Sequence, residues 1–205
     1  MIELKIGEQI YQMPENYDEL KLKQYIEIVN LQSDDNIVGA RKVIQLISIL
    51  SGAPIDLLMK VKLSGLSQFD LEWLSKPIEK EIKTTIEIDE IKYGMIPDMK
   101  DLSLGEFADL DHYTKTINTN LHYVIAILMR PIIKENENLY IIEDYDTNTL
   151  ELRANLFAEK MSVKQLINSS NFFLGSVNGY TKNMKDFLQK EMNQKIQMKQ
   201  KKEKD

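Results

Sequence analysis

Apolar residues alternate with polar ones at Ile2, Leu4 and Ile6 and resume at Ile10, and then the step changes: Leu22, Tyr25, Ile26 and Val29 recur every three or four residues. A two-residue period lines one face of a strand, and a helical period lines one face of a helix. The change therefore predicts a hairpin over 2–12, turning near Gly7-Glu8, followed by a helix around 20–32. The next segment, 37–51, is apolar on most sides and should stop at Gly52, with Pro54 opening a short helix to about 62. A helix from Ser67 carries Trp73, Leu74 and Ile78, and Pro77 should break or kink it. A second hairpin over 85–96 turns near Asp89-Glu90. Helices near 104–115 and 119–130 follow, the latter ending at Pro131. A polar turn, 135–138, separates Ile132-Ile133 from Leu139–Ile142, and helices at about 149–160 and from 162 onward complete the chain. The fold class is mainly α with small β-hairpins, an α+β arrangement.

Helix starts carry their own chemistry. Ser103 and Glu106 form a capping box, in which the serine oxygen accepts from an orphan amide and the glutamate reaches back to the cap. Ser67 with Asp70 and Ser162 with Gln165 follow the same logic. At the first helix the corresponding residue is Lys21, which cannot accept a hydrogen bond, so that helix should begin less sharply, from Asp18.

Residues 19–28 and 101–110 match in the order of acidic, apolar and aromatic characters, an offset of 82. Each is preceded by an alternating segment and a proline (Pro14, Pro97) and followed by a strongly apolar helix. Short amphipathic helices resemble one another, but hairpin, proline, helix and apolar helix recur here in sequence, which favours an internal duplication. The expected organisation is a first hairpin-helical repeat at 1–83, a second at 84–160, and a C-terminal amphipathic helix with a Lys-rich tail at 161–205. The superposition should pair Tyr25 with Phe107, and Ile49 with Ile127 or Leu128.

The C-terminal segment bears an apolar stripe. Phe173, Val177, Tyr180, Met184 and Leu188 recur at three- and four-residue steps, and Met192 extends the line. Over 185–205 seven lysines stand against four acids, so the end of the chain is basic and the body acidic. Two readings follow: a solvated end, or a long helix that docks on a partner or a neighbouring copy. Packing back on its own domain accounts for the stripe up to about residue 180, so the five stripe residues are protein-contact candidates, most strongly from Met184 onward.

Composition narrows the chemistry. The chain has 205 residues, 43% hydrophobic and 28% charged, ordinary globular values that exclude wholesale disorder. It has no cysteine, which removes disulfides, thiolate metal sites and cysteine nucleophiles together, and its two histidines are too few for a histidine-rich metal centre. The net charge of −6 argues against general nucleic-acid binding. The longest apolar stretch, Leu121 to Met129, is interrupted by His122; it falls well short of the ~20 residues of a membrane helix and reads as a buried core helix. The N-terminus lacks a basic stretch followed by an apolar run, so no targeting signal is expected and a soluble, cytosolic protein is.

Individual motifs add little. Asp144-Tyr145-Asp146 begins like a calcium loop, but Thr149 and Asn155 stand where glycine and glutamate are needed, so Asn148 or Thr149 reads better as a helix cap. His122 fits a satisfied residue at the core edge and His112 a surface residue. Gly175 and Gly179 fit a kink or close packing in a soluble helix. Phosphate-binding glycine loops and metalloprotease or serine-hydrolase motifs are missing from the sequence. No catalytic, cofactor-binding or metal-binding residue is nominated, and the expectation is a non-enzyme without a cofactor.

Two blocks carry a resemblance. Met13 to Tyr25 with Leu46 to Ile55, and Asp101 to Leu110 with Leu128 to Ile132, resemble small proteins of the morphogenesis cassettes of tailed bacteriophages. Such proteins share a proline-acidic-aromatic entry, a leucine-x-leucine-lysine-x-tyrosine helix and an isoleucine-x-x-leucine-serine-glycine helix end. The resemblance weakens after residue 160. It implies a tail assembly chaperone that contacts other phage tail or virion proteins, with self-association, and with no membrane and no specific nucleic acid as partner. It places the chain in the host cytoplasm during assembly. The alternatives are a multicopy minor virion protein, such as internal cargo or a tail or ring component, and a host-directed enzyme or regulator.

Overall fold

The computed structural model describes residues 1–62, 65, 69, 71–79, 81, 83–137 and 139–170. Within them lie seven α-helices and two antiparallel sheets. Strands β1 (Ile2–Ile6) and β2 (Gln9–Met13) form a two-stranded hairpin, closed at Gly7-Glu8 by a glycine with φ of +64°. Helices α1 (Leu22–Ser33), α2 (Ala40–Ser51) and α3 (Ile55–Leu58) follow. Gly52 ends α2 in the left-handed region, where its amide donates to the Ser48 carbonyl.

The second half contains β3 (Thr85–Ile88) and β4 (Ile91–Met95), then α4 (Leu104–Thr114) and α5 (Ile117–Leu128). Strands β5 (Met129–Asn136) and β6 (Leu139–Ile142) complete a four-stranded sheet in the order β3-β4-β5-β6. Helices α6 (Thr147–Lys160) and α7 (Val163–Ser170) close the described fold. The β3-β4 turn places both Asp89 and Glu90 at positive φ, the conformation a two-residue hairpin of this twist requires.

Several boundaries differ from expectation, each for a nonlocal reason. Helix α1 does not start at Asp18, because Lys21 is extended and paired with Ser162 in an isolated bridge. The Gln24 side chain caps it, accepting from the Lys21 amide at 3.0 Å. Helix α2 is apolar in sequence yet buries one side only, through Ile47 and Leu50, while Val43 is exposed. Trp73 sits in a short 3-10 turn, Glu72–Ser75, not in a helix beginning at Ser67; Ser67 itself lies outside the described residues. Helix α5 ends at Leu128, and Pro131 belongs to the strand that follows. There it lies at the end of the β5-β6 ladder, where one missing donor is tolerated while its carbonyl accepts from the Glu143 amide. The cap of α6 is Asp146, not Asn148 or Thr149. The capping boxes at Ser103 and Ser162 form as expected.

Two hydrophobic cores result. One joins Leu4, Ile6, Met13, Ile28, Ile47, Leu50 and Trp73. The other joins the second sheet to α4, α5 and α6 around Leu110, Val124–Leu128 and Phe157, with Tyr93 edge-on to Phe157 at 5.0 Å. The cores exchange residues: Leu22 enters the second and Val163 the first. Hairpin, helix and helix recur in order in both halves, but their packing does not. Helix α1 packs against α2, α5, α6 and α7, whereas the main neighbour of α4 is α5. Tyr25 touches both cores, while Phe107 is half-buried and belongs to neither; Ile49 is half-buried, whereas Ile127 and Leu128 are fully buried. The likeness of the halves is one of element order, and equivalent core positions do not support a duplication.

Ile47 is 2% exposed at the centre of the first core. Ile47→Ala should lower the unfolding free energy by ~2–5 kcal/mol through the cavity it leaves. Urea denaturation measures this, and a surface-like loss under about 0.5 kcal/mol would remove Ile47 from the core.

Candidate protein-contact site

The stripe residues Phe173, Val177, Tyr180, Met184 and Leu188 lie outside the described residues, as do Gly175 and Gly179. The structure does describe helix α7, the last element before that segment. Helix α7 carries Leu166 and Ile167 into a groove shared with Tyr25, Ile26 and Val29 of α1 and with Leu121 of α5. The periodicity of α1 explains it. Ile28 and Leu31 turn into buried surroundings, which leaves the Tyr25-Ile26-Val29 side half-buried and facing α5. Sequence periodicity places Leu22, Tyr25, Ile26 and Val29 on one face, as if that face were uniformly buried. The signal that it is not lies in a helix with apolar residues on two stripes, only one of which can face a single core.

The groove encloses about 230 Å³, and apart from Asn118 and the Tyr25 hydroxyl its lining is apolar. Ligand pockets usually measure ~300–1,000 Å³ and hold several convergent polar groups. This groove is smaller and has almost none, so it suits one or two apolar side chains better than a small-molecule substrate.

The buried charges lie elsewhere. Arg130 in β5 pairs with Glu106 at 2.7 Å, both side chains almost fully buried, although the contact is not aligned as a hydrogen bond. The other carboxylate oxygen of Glu106 accepts from the Ser103 amide at 2.7 Å, so one residue serves as helix cap and counter-ion. The Arg130 guanidinium stands 5.9 Å from the Tyr145 ring centre, and the Tyr145 hydroxyl donates to Asp109. Burial above all, and then that bond, hold the Tyr145 phenol well above its ordinary pKa. Arg153 of α6 donates from Nε to the Ala126 carbonyl at 2.9 Å, and burial lowers its guanidinium pKa.

Arg153 and two backbone amides together satisfy C-terminal carbonyls of α5, where the chain passes from helix to strand without a loop. Ile125 receives the Met129 amide, Ala126 receives Arg153, and Leu128 receives the Ile96 amide. The sequence signal for this was available: an arginine at the end of an apolar run needs a buried partner. The arrangement holds elements together and presents no nucleophile beside an oriented base. Among the described residues no cluster of three His, Asp or Glu is placed to hold a metal ion, and no helix is long and apolar enough to cross a membrane.

His112 is exposed, edge-on to Tyr113. His122 is half-buried but not satisfied, since its Nδ1 is buried without a hydrogen-bond partner. Polar side chains, among them Lys23, Asn155 and Glu159, line the same shallow pocket as His122, yet none is a hydrogen-bond partner of that nitrogen. Comparison with protein-family models, curated proteins and solved structures finds no match.

Two predictions follow from these groups. Arg130→Met strands Glu106 without its cation and should cost ~3–5 kcal/mol in urea denaturation, part of which Glu106→Gln in the same chain should restore. A loss under about 1 kcal/mol would place the pair in contact with water. Burial lowers the His122 pKa below its ordinary 6.5. The unfolded chain therefore binds that proton more readily, so stability is complete above this value and falls as pH drops through it towards the lower folded pKa. Unfolding free energies between about pH 7 and pH 5 should decline more steeply in the wild type than in His122→Gln, and equal slopes would refute the assignment.

Proposed function

We propose that the protein is a non-enzymatic assembly factor of a tailed bacteriophage, acting through protein–protein contacts in tail morphogenesis in the host cytoplasm. The observation that carries the contact role is the small apolar groove between α1, α5 and α7, with the C-terminal stripe leaving the described fold at the end of α7. The phage assignment rests on the sequence resemblance. The almost wholly apolar lining of the groove supports a binding role there. In this reading Phe173, Val177, Tyr180, Met184 and Leu188 contact the partner beside the groove, as amphipathic recognition helices do.

The test is affinity capture from phage-infected cells, with mass spectrometry of the captured proteins and of purified particles. The wild type should retain a tail component and be missing from mature virions. Ile26→Asp, and separately deletion of 181–205, should each reduce capture by about tenfold or more, as loss of an anchor residue does, while both variants still unfold cooperatively in urea. Undiminished capture by both variants would remove the groove and stripe from the contact. Many copies in purified particles would favour the minor virion protein instead.

A further inference from the structure

Strand β6 is an edge of the four-stranded sheet, paired on one side with β5. The outward N–H and C=O groups of Leu139–Ile142 therefore have no strand partner among the described residues. Proteins usually blunt such an edge with lysine, proline or a covering element. Here the strand reads Leu-Tyr-Ile-Ile, with Leu139 76% and Ile141 54% exposed. It is also held in place. The Tyr140 ring lies over Gly94 of β4, where an added Cβ would come within 2.5 Å of it, and the Tyr140 hydroxyl donates to the Met95 carbonyl at 2.7 Å. A fixed, apolar, unpaired edge is a template for strand addition.

Charge selects the occupant. Glu135 and Glu137 precede β6, and Glu143 and Asp144 follow it. The last two also line an adjoining cleft of about 470 Å³ together with Asp101. Glu135 pairs with Lys92 and Glu143 lies 3.8 Å from Arg153, but Glu137, Asp144 and Asp101 have no cationic partner among the described residues. Antiparallel pairing of β6 with a second β6 would bring these acidic ends together, which disfavours that dimer. An apolar strand with lysines at both ends is complementary.

The sequence contains one: Lys195-Ile196-Gln197-Met198-Lys199-Gln200-Lys201. Its apolar residues alternate as Leu139 and Ile141 do, and on β6 Lys195 and Lys199 would meet the acidic ends in either strand direction. Twenty-four residues separate Ser170 from Lys195; extended they reach ~80 Å, and a body of this size is ~40 Å across. We infer that β6 is a docking edge for a lysine-flanked apolar strand, and that residues 195–201 of the same chain add there as a fifth strand. This does not depend on the phage reading.

The test is amide hydrogen exchange on the purified full-length chain, with no phage component present. The amides of Leu139–Ile142 should be protected in the wild type and exchange about tenfold faster in the Ile196→Asp, Met198→Asp double variant, while those of Thr85–Ile88 on the opposite edge stay unchanged. Glu137→Lys with Asp144→Lys should reproduce the loss, and Lys195→Glu with Lys199→Glu in the same chain should reverse it. Equal exchange in the wild type and tail variants would overturn the proposal. Protection that disappears on about a hundredfold dilution would overturn it in favour of a second copy's tail.

Discussion

The fold depends on a short exchange of backbone hydrogen bonds between residues far apart in the chain. The Leu22 amide donates to the Met161 carbonyl at 2.9 Å, the Val163 amide to the Leu20 carbonyl at 2.8 Å, and the Lys164 amide to the Tyr17 carbonyl at 3.0 Å. This bridge sets the first residue of α1 and the first of α7 together, because both helices leave from its two strands. Each helix then sends side chains into both cores. A segment of a few residues thus decides whether the two halves are one folded body, and the entropy of closing so long a loop is offset only because the cores condense around it.

The second dependence is electrostatic. A helix that turns directly into a strand leaves carbonyls with no intrahelical donor, and at the end of α5 these are buried. Arg153 supplies one donor, and a positive charge beside a helix C-terminus is favourable in its own right. Arg130 enters the same region from β5 and is neutralised by Glu106, the residue that also caps α4. Helices α4, α5 and α6 and strand β5 are therefore oriented by two guanidinium groups. Lysine at either position could not reproduce the planar donor geometry.

Features written in adjacent residues were legible in the sequence. The turns at Gly7-Glu8 and Asp89-Glu90, the stop at Gly52 and the boxes at Ser103 and Ser162 each depend on two to four neighbours. What failed depended on distant contacts. Lys21 is a poor cap by type, but its extended backbone is imposed by Ser162. The run from Tyr123 to Met129 is apolar throughout, and uniform apolarity has no period from which to place the change from helix to strand. The groove was hidden for a related reason: a half-buried stripe and a buried stripe have the same composition, and only the position of α7 separates them. The stripe beyond residue 170 was legible as a pattern alone.

The contact of Gly94 with Tyr140 reaches across β5 and ties the outermost strand to the third strand inward. The tyrosine ring fills the space where any other residue at 94 would place its Cβ, so the two positions form one steric unit. Neither can be exchanged alone without loss: a larger residue at 94 expels the ring, and a smaller residue at 140 uncovers backbone on a strand whose glycine contributes no side chain of its own. Variation at these sites must therefore be paired, and among descendants of this chain the identity of residue 94 should forecast that of residue 140.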